Sequence, residues 1–261
     1  MKKILVLLLA LLTLIPLAAC SGKDSDDWSY IKNKKNLIIG ITEYEPMNYY
    51  EDGKLVGFDT EFAEAVCAKL GITPEFTIIN WDTKETELAS KKIDCIWNGL
   101  TITEDRKKNI SFSDSYLRNE QVVVIRAADA GTYTSAASLS GKTVVAETES
   151  AGEAAIESDL KDANYIAVDS QAKTLLEVKA GTADASVIDL TMANAMTGPG
   201  TEYADLMIVT GIKMQAEEYA IGFRLGSDCV KTFNDAIKGL VSDGTLAGIA
   251  GKYDLTDLLI K

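Results

Sequence analysis

The chain has 261 residues with 26 basic and 39 acidic side chains, a formal net charge of −13, and no histidine. The acidic balance argues against nucleic acid, whose phosphates need a basic surface. The missing histidine removes the commonest metal ligand and the commonest general base.

Lys2 and Lys3 precede an apolar run from Ile4 to Pro16 bounded by small residues, the pattern of an export signal over residues 1–19. The run ends in "LAAC", Leu17 to Cys20, which resembles the lipobox of bacterial lipoproteins and implies a lipidated Cys20. An ordinary signal peptide or a short membrane anchor is the alternative. The polar stretch "SGKDSDD" reads as a tether, so residues 20–30 are expected to be a lipidated N-terminus and linker. Beyond Cys20 no apolar run reaches the roughly 18 residues that a membrane span requires. The remaining ~240 residues suffice for two compact lobes.

Apolar strand patterns then alternate with helix patterns, which points to an α/β fold with largely parallel sheets. "LIIGIT" (Leu37 to Thr42) is the first expected strand. In "FDTEFAEAVCAKLG" the residues Phe62, Val66 and Leu70 recur at helical spacing, with Asp59 as N-cap and Gly71 as the stop. "EFTIIN" (Glu75 to Asn80) is a strand, "KETELAS" a short helix and "DCIWN" (Asp94 to Asn98) a third strand. The loop "GLTITEDR" follows at its carboxyl end, offering bare backbone at Gly99, a hydroxyl at Thr101 and a guanidinium at Arg106.

"EQVVVIR" (Glu120 to Arg126) is another strand, and the small, polar "AADAGTYTSA" after it suggests a crossing between lobes. A second series follows: the strand "KTVVAE", a helix around Glu153 to Leu160, the strand "YIAV", the helix "QAKTLLEVKAG" and the strand "ASVID" ending at Asp189. "EYAIGF" (Glu218 to Phe223) is expected to return the chain to the first lobe. A C-terminal helix pattern with Val230, Phe233, Ile237 and Leu240 is broken at Asp243-Gly244. The lobes are expected to be residues 31–122 with 223–261, and residues 123–222. Ligands of open α/β sheets sit beyond the carboxyl ends of strands, so the Gly99 loop, the turn after "VVAE" and Asp189 are expected to line one cleft.

Cys67, Cys95 and Cys229 show no CxxC spacing, and buried unreactive thiols are the expectation, with a disulfide between two of them left open.

The pieces "PMNYYEDGKLVGFDTEFAEAV", "IDCIWNGLTITEDRKKNISFSDSY", "QVVVI", "GKTVVAETESAGEAA", "EVKAGTADASVID" and "EEYAIGFRLGS" resemble, in this order, the extracytoplasmic amino-acid-binding proteins of ABC importers. These are polar-amino-acid solute-binding lipoproteins. The resemblance implies a two-lobed, type II periplasmic-binding-protein (venus-flytrap) fold with two crossover strands. It also implies a monomer held on the outer face of the cytoplasmic membrane, with an ABC permease and its ATPase as partners, and no enzymatic role, cofactor or metal.

The same resemblance assigns residues. Arg106 matches the family arginine that grips the α-carboxylate of a free amino acid, a fork suited to two carboxylate oxygens. Its alternative is a solvated arginine in a charged run with Lys107 and Lys108. Thr101 adds a hydroxyl, and the backbone at Gly99 approaches because no side chain intervenes. Asp189 matches the aspartate that receives the α-ammonium, and on the residues alone it reads as a helix N-cap. "TESAGE" stands where the family often has Gly-Ser-Thr. Ser150 keeps a hydroxyl, whereas Ala151 lacks one and Glu149 replaces glycine. Tyr44 and Trp81 match positions that wall the side-chain space, with a core role as the alternative. Glu43 and Glu147 lie near positions that meet the distal end of the ligand in some relatives; both inward would favour a cationic side chain such as lysine or arginine, and a surface location is the alternative for either. A sensory module for a membrane receptor and a small-molecule lyase are the rival functions.

Overall fold

The computed structural model describes residues 26–260, so the expected leader, Cys20 and the start of the tether lie outside the described residues. Two mixed sheets organise the chain. The first runs in the order Thr73–Ile78, Asn36–Ile41, Cys95–Ile96, Gly222–Arg224, Ile110–Phe112. The second runs Leu206–Ile208, Leu117–Arg126, Ala185–Asp189, Thr143–Glu147, Asn164–Val168.

The sheets are less parallel than the alternating pattern predicts, for a geometric reason. In each sheet three strands run parallel and end at the gap between the sheets, at Ile78, Ile41 and Ile96 on one side and at Glu147, Val168 and Asp189 on the other. A strand that arrives across that gap must run away from it. Leu117–Arg126 is therefore antiparallel to Ala185–Asp189, and Gly222–Arg224 is antiparallel to Cys95–Ile96.

The crossing also lies earlier than expected. Leu117–Arg126 itself spans the two lobes, paired antiparallel with the return strand Ala216–Tyr219 from Leu117↔Tyr219 to Glu120↔Ala216. The small, polar residues after Arg126 stay with the second sheet: the Ala127 amide donates to Asp205 and the Tyr133 hydroxyl to Asp184. The expected strand Glu218 to Phe223 is broken, because Ala220 and Ile221 carry the chain between Ala216–Tyr219 and Gly222–Arg224.

Helix Phe58–Leu70 buries Phe58, Phe62, Ala63, Val66 and Cys67 along one stripe and stops at Gly71, whose φ of 71° is the left-handed turn that glycine favours. Asp59 does not cap it. Gly57 holds the cap position and Asp59 lies inside the first turn, turned toward the core. Helix Cys229–Ser242 packs against it and buries Phe233, Ala236, Ile237 and Leu240. One apolar cluster runs from Leu37, Ile39 and Phe62 through the hinge residues Tyr44, Tyr116 and Tyr219 to Val124, Leu175 and Met192, tying the lobes together. Cys67, Cys95 and Cys229 are free and buried in this cluster. Burial pushes the Cys67 and Cys229 thiols up to about 12, so they are unreactive at neutral pH. Among the described residues no helix is long and apolar enough to cross a membrane.

Candidate functional site

The carboxyl ends of the two sets of parallel strands face one another, and a small cavity of about 10 Å³ is left between them. That is roughly room for one water, so the lobes are closed. Trp81, Asn98, Gly99, Thr101 and Arg106 line it from the first lobe, and Glu147, Ser150, Ala151, Gln171 and Asp189 from the second.

Arg106 sits in the short 3-10 turn Arg106–Lys108 and is buried, whereas its neighbours Lys107 and Lys108 are exposed and paired with Glu104 and Asp105. Its Nη1 donates to the Thr101 carbonyl at 2.8 Å and its Nη2 to the Glu149 carbonyl of the other lobe at 3.0 Å. Lys84, buried at 3 % exposure, donates to the Trp81 carbonyl at 3.0 Å and to the same Glu149 carbonyl at 3.1 Å. Two cations thus converge on one backbone oxygen across the lobes, both within 6 Å of the Trp81 ring centre. Burial and the Arg106 charge lower the Lys84 ammonium to about 8.

Asp189 stands at the N-cap position of helix Leu190–Met196 but makes no capping bond. Its carboxylate accepts from Asn119, from Gln121 at 2.8 Å and from Gln171. Glu217, on the return strand, shares two of these donors, Asn119 at 3.2 Å and Gln121 at 3.0 Å, and accepts the Thr101 hydroxyl at 3.1 Å. Burial raises the Asp189 carboxyl. Burial and the neighbouring Asp189 push Glu217 up to about 7. Glu147 is 4 % exposed, and its carboxylate has neither a hydrogen bond nor an ion pair among the described residues. Burial and then Asp189 push it up to about 8 against the pull of Lys84 and Arg106.

The Gly99 turn is fixed from beneath. Its φ is +57°, and a Cβ there would lie 2.6 Å from Tyr44 Cε1, so glycine is required. The buried Asp59 carboxylate accepts the Gly99 amide at 2.7 Å and the Tyr116 hydroxyl at 2.9 Å. Tyr44 stands one layer behind the cavity, bonded at 2.6 Å to both the Thr191 and the Tyr219 hydroxyls. On the second lobe Ser150 caps helix Ala151–Asp159 by accepting from the Glu153 amide. Glu149, in the expected glycine position, adopts φ +58° and is exposed, with its carbonyl turned to Lys84 and Arg106.

The structure therefore brings Arg106, Asp189, Thr101, Gly99, Ser150, Ala151, Trp81 and Glu147 to one cavity, places Tyr44 behind it, and leaves Glu43 exposed and outside its lining. Sequence reasoning missed Lys84, Asn98, Asn119, Gln121, Gln171 and Glu217. Lys84 lies one helical turn before the buried Leu88, and Glu217 shares a strand face with the buried Tyr219; a charged residue on an apolar face was the available signal. Among the described residues, no three histidine, cysteine, aspartate or glutamate side chains are grouped so as to hold a metal ion.

Comparison with known proteins agrees with this geometry. The arginine-binding extracellular protein ArtP of Bacillus subtilis is 31% identical over 261 residues, covering 97% of this chain and 98% of that protein. The L-cystine-binding protein TcyA of the same organism is 31% identical over 269 residues, covering 97% of each. The crystal structure of an ABC uptake transporter substrate-binding protein from Streptococcus pneumoniae with bound histidine is 32% identical and superposes with a TM-score of 0.82, covering 92% of this chain and 100% of that one. Residues 37–256 match the bacterial extracellular solute-binding proteins, family 3, and with two lobes closed on a cleft of buried charges the chain belongs to that family.

Proposed function

We propose that this protein is an extracytoplasmic receptor that binds a free amino acid between its lobes and delivers it to a membrane ABC permease. One observation carries the reading: the cleft buries two cations, Lys84 and Arg106, and the carboxylates Glu147 and Asp189, with Glu217 half-buried beside them, yet among the described residues no cation pairs with a carboxylate of the set. Buried charges held apart at opposite sides of one gap suit a zwitterion that meets both. Arg106, with Lys84 beside it, takes the α-carboxylate in place of the Glu149 carbonyl. Asp189, with Glu217, takes the α-ammonium, while Gly99, Thr101, Ser150 and Ala151 border the same space. Trp81 walls it, and Tyr44 supports the wall from behind.

The cavity is far smaller than an amino acid, so the lobes part to admit one and close over it, pivoting on the paired strands Leu117–Arg126 and Ala216–Tyr219. The moving bodies are residues 31–122 with 223–261 and residues 123–222, whose boundaries fall within a few residues of that hinge. The protein acts as a monomer and leaves its ligand chemically unchanged. It is held on the outer face of the membrane by lipid on Cys20, which fits the "LAAC" sequence. Native mass spectrometry of the purified protein, with extraction of what co-purifies, tests the receptor role. An intact amino acid supports it, and a converted product points to a lyase. Radiolabelled palmitate incorporation that persists in Cys20→Ala would remove the anchor.

A further inference from the structure

The two ends of the cleft are unequal in charge. Lys84 and Arg106 supply two positive charges, and Glu147, Asp189 and Glu217 supply three carboxylates. Asp189 and Glu217 form a unit, because Asn119 and Gln121 donate to both, Gln171 completes Asp189, and Thr101 completes Glu217. Glu147 stands outside that network. It ends strand Thr143–Glu147, beside the strand that ends in Asp189, lines the cavity at 4 % exposure, and accepts no hydrogen bond from the described residues. A buried carboxylate with no donor is costly unless it is protonated or meets a cation.

The neighbouring cations do not serve it. Lys84 Nζ is turned onto the Trp81 and Glu149 carbonyls, and Arg106 onto those of Thr101 and Glu149. The groups that act on Glu147 are Asp189 and the exposed Asp169, which oppose its ionisation, and Lys84 and Arg106, which favour it.

We propose that Glu147 selects the ligand's side chain by accepting a second positive charge, so that the receptor takes amino acids with guanidinium or alkylammonium side chains over neutral and acidic ones. This inference rests on the amino-acid reading of the cleft. With such a ligand the α-carboxylate faces Lys84 and Arg106, the α-ammonium faces Asp189 and Glu217, and the side-chain cation faces Glu147. Every charged group in the cleft then has an opposite, and with Glu147, Asp189 and Glu217 all ionised the bound ligand brings the net charge of the cluster from −1 to zero. A neutral amino acid leaves Glu147 without a partner, and an acidic one sets a second carboxylate against it. Because its carboxyl is pushed up to about 8, Glu147 is largely protonated at neutral pH and gives up its proton when a cation binds.

The test is titration calorimetry of the purified protein, unfolded and refolded to strip co-purifying ligand. The ligands are L-arginine, L-lysine, L-glutamine, L-leucine and L-glutamate. The account expects arginine or lysine to bind at least roughly tenfold more tightly than any other of the set. Glu147→Gln, and Glu147→Ser as a second variant, weaken the cationic ligand roughly 30- to 1,000-fold and lose most of the preference for it over glutamine. Measured in buffers of differing ionisation enthalpy at pH 7, cation binding releases close to one proton more from the wild type than from Glu147→Gln, whose remaining proton release comes from Glu217. A wild type without that preference, or glutamate-147 variants that keep full affinity for the cation, overturns the assignment while leaving an amino-acid receptor standing. A wild type that binds none of the five removes both the inference and the receptor reading.

Discussion

Replacing Asp59 by asparagine is expected to remove a definite part of the pH dependence of this protein's stability. The carboxylate is fully buried beneath the Gly99 turn, and burial pushes its pKa from 3.8 to about 7, with the Gly99, Tyr116 and Trp97 donors offsetting only part of the rise. A group that holds its proton more tightly in the folded chain contributes stability that is fully present below the unfolded pKa and is lost as pH rises through the folded one. At about 1.4 kcal/mol per pH unit, the loss between about pH 4 and pH 7 is roughly 4 kcal/mol from this residue. Glu217, raised to about 7, and Glu147, raised to about 8, act in the same direction. In the asparagine variant the amide oxygen accepts the Gly99 and Tyr116 donors without ionising. Thermal melts followed by circular dichroism at intervals from pH 5 to pH 8 measure the slope. For a chain of this size 1 kcal/mol moves Tm by about 2–4 °C, so over this range the variant is expected to fall by roughly 6–12 °C less than the wild type, the remainder of the fall coming from Glu217 and Glu147. A wild-type Tm that is flat or rises over this range, or a variant that falls as steeply, would refute the reasoning.

Three further outcomes follow from the same geometry. Gly99→Ala combines a φ of +57° with a 2.6 Å approach to the Tyr44 ring, and it is expected to cost about 2–4 kcal/mol in urea unfolding. Glu149→Gly relieves a left-handed backbone at φ +58° while keeping the carbonyl that Lys84 and Arg106 share, so it is expected to raise Tm slightly, by about 0.5–1 kcal/mol of stability. Glu217→Gln is expected to weaken amino-acid binding by about 1–2 kcal/mol in calorimetry at pH 8, less than the roughly 2–5 kcal/mol for Asp189→Ala, because Asp189 keeps its three amide donors.

The fold was legible because helix and strand periods alternate cleanly, and because Gly71 and Asp243-Gly244 mark real ends. The crossing reads too late because the small, polar residues after Arg126 look like a linker, whereas the polar residues Arg118 to Glu120 that pair with the return strand run without a break into the apolar Val122 to Ile125. Asp59 reads as a cap because local sequence shows the carboxylate but not the Gly99 amide 40 positions away that it holds. Arg106 and Asp189 stood out through a resemblance covering most of the chain. Lys84 and Glu217 did not, for their setting depends on how two distant lobes meet at Glu149 and Thr101.

The central claim is that a guanidinium from one lobe and a carboxylate from the other hold the two charges of one amino acid. Its most direct test is titration calorimetry of wild type and Arg106→Ala against the amino acid that wild type binds most tightly and against the methyl ester of that amino acid. The account predicts that esterification weakens wild-type binding by about 2–5 kcal/mol and weakens Arg106→Ala, already weaker by a similar amount, distinctly less, because Lys84 alone then faces the carboxylate. If Arg106→Ala keeps full affinity, or discriminates between acid and ester as strongly as the wild type, the guanidinium does not hold the carboxylate and the account is contradicted.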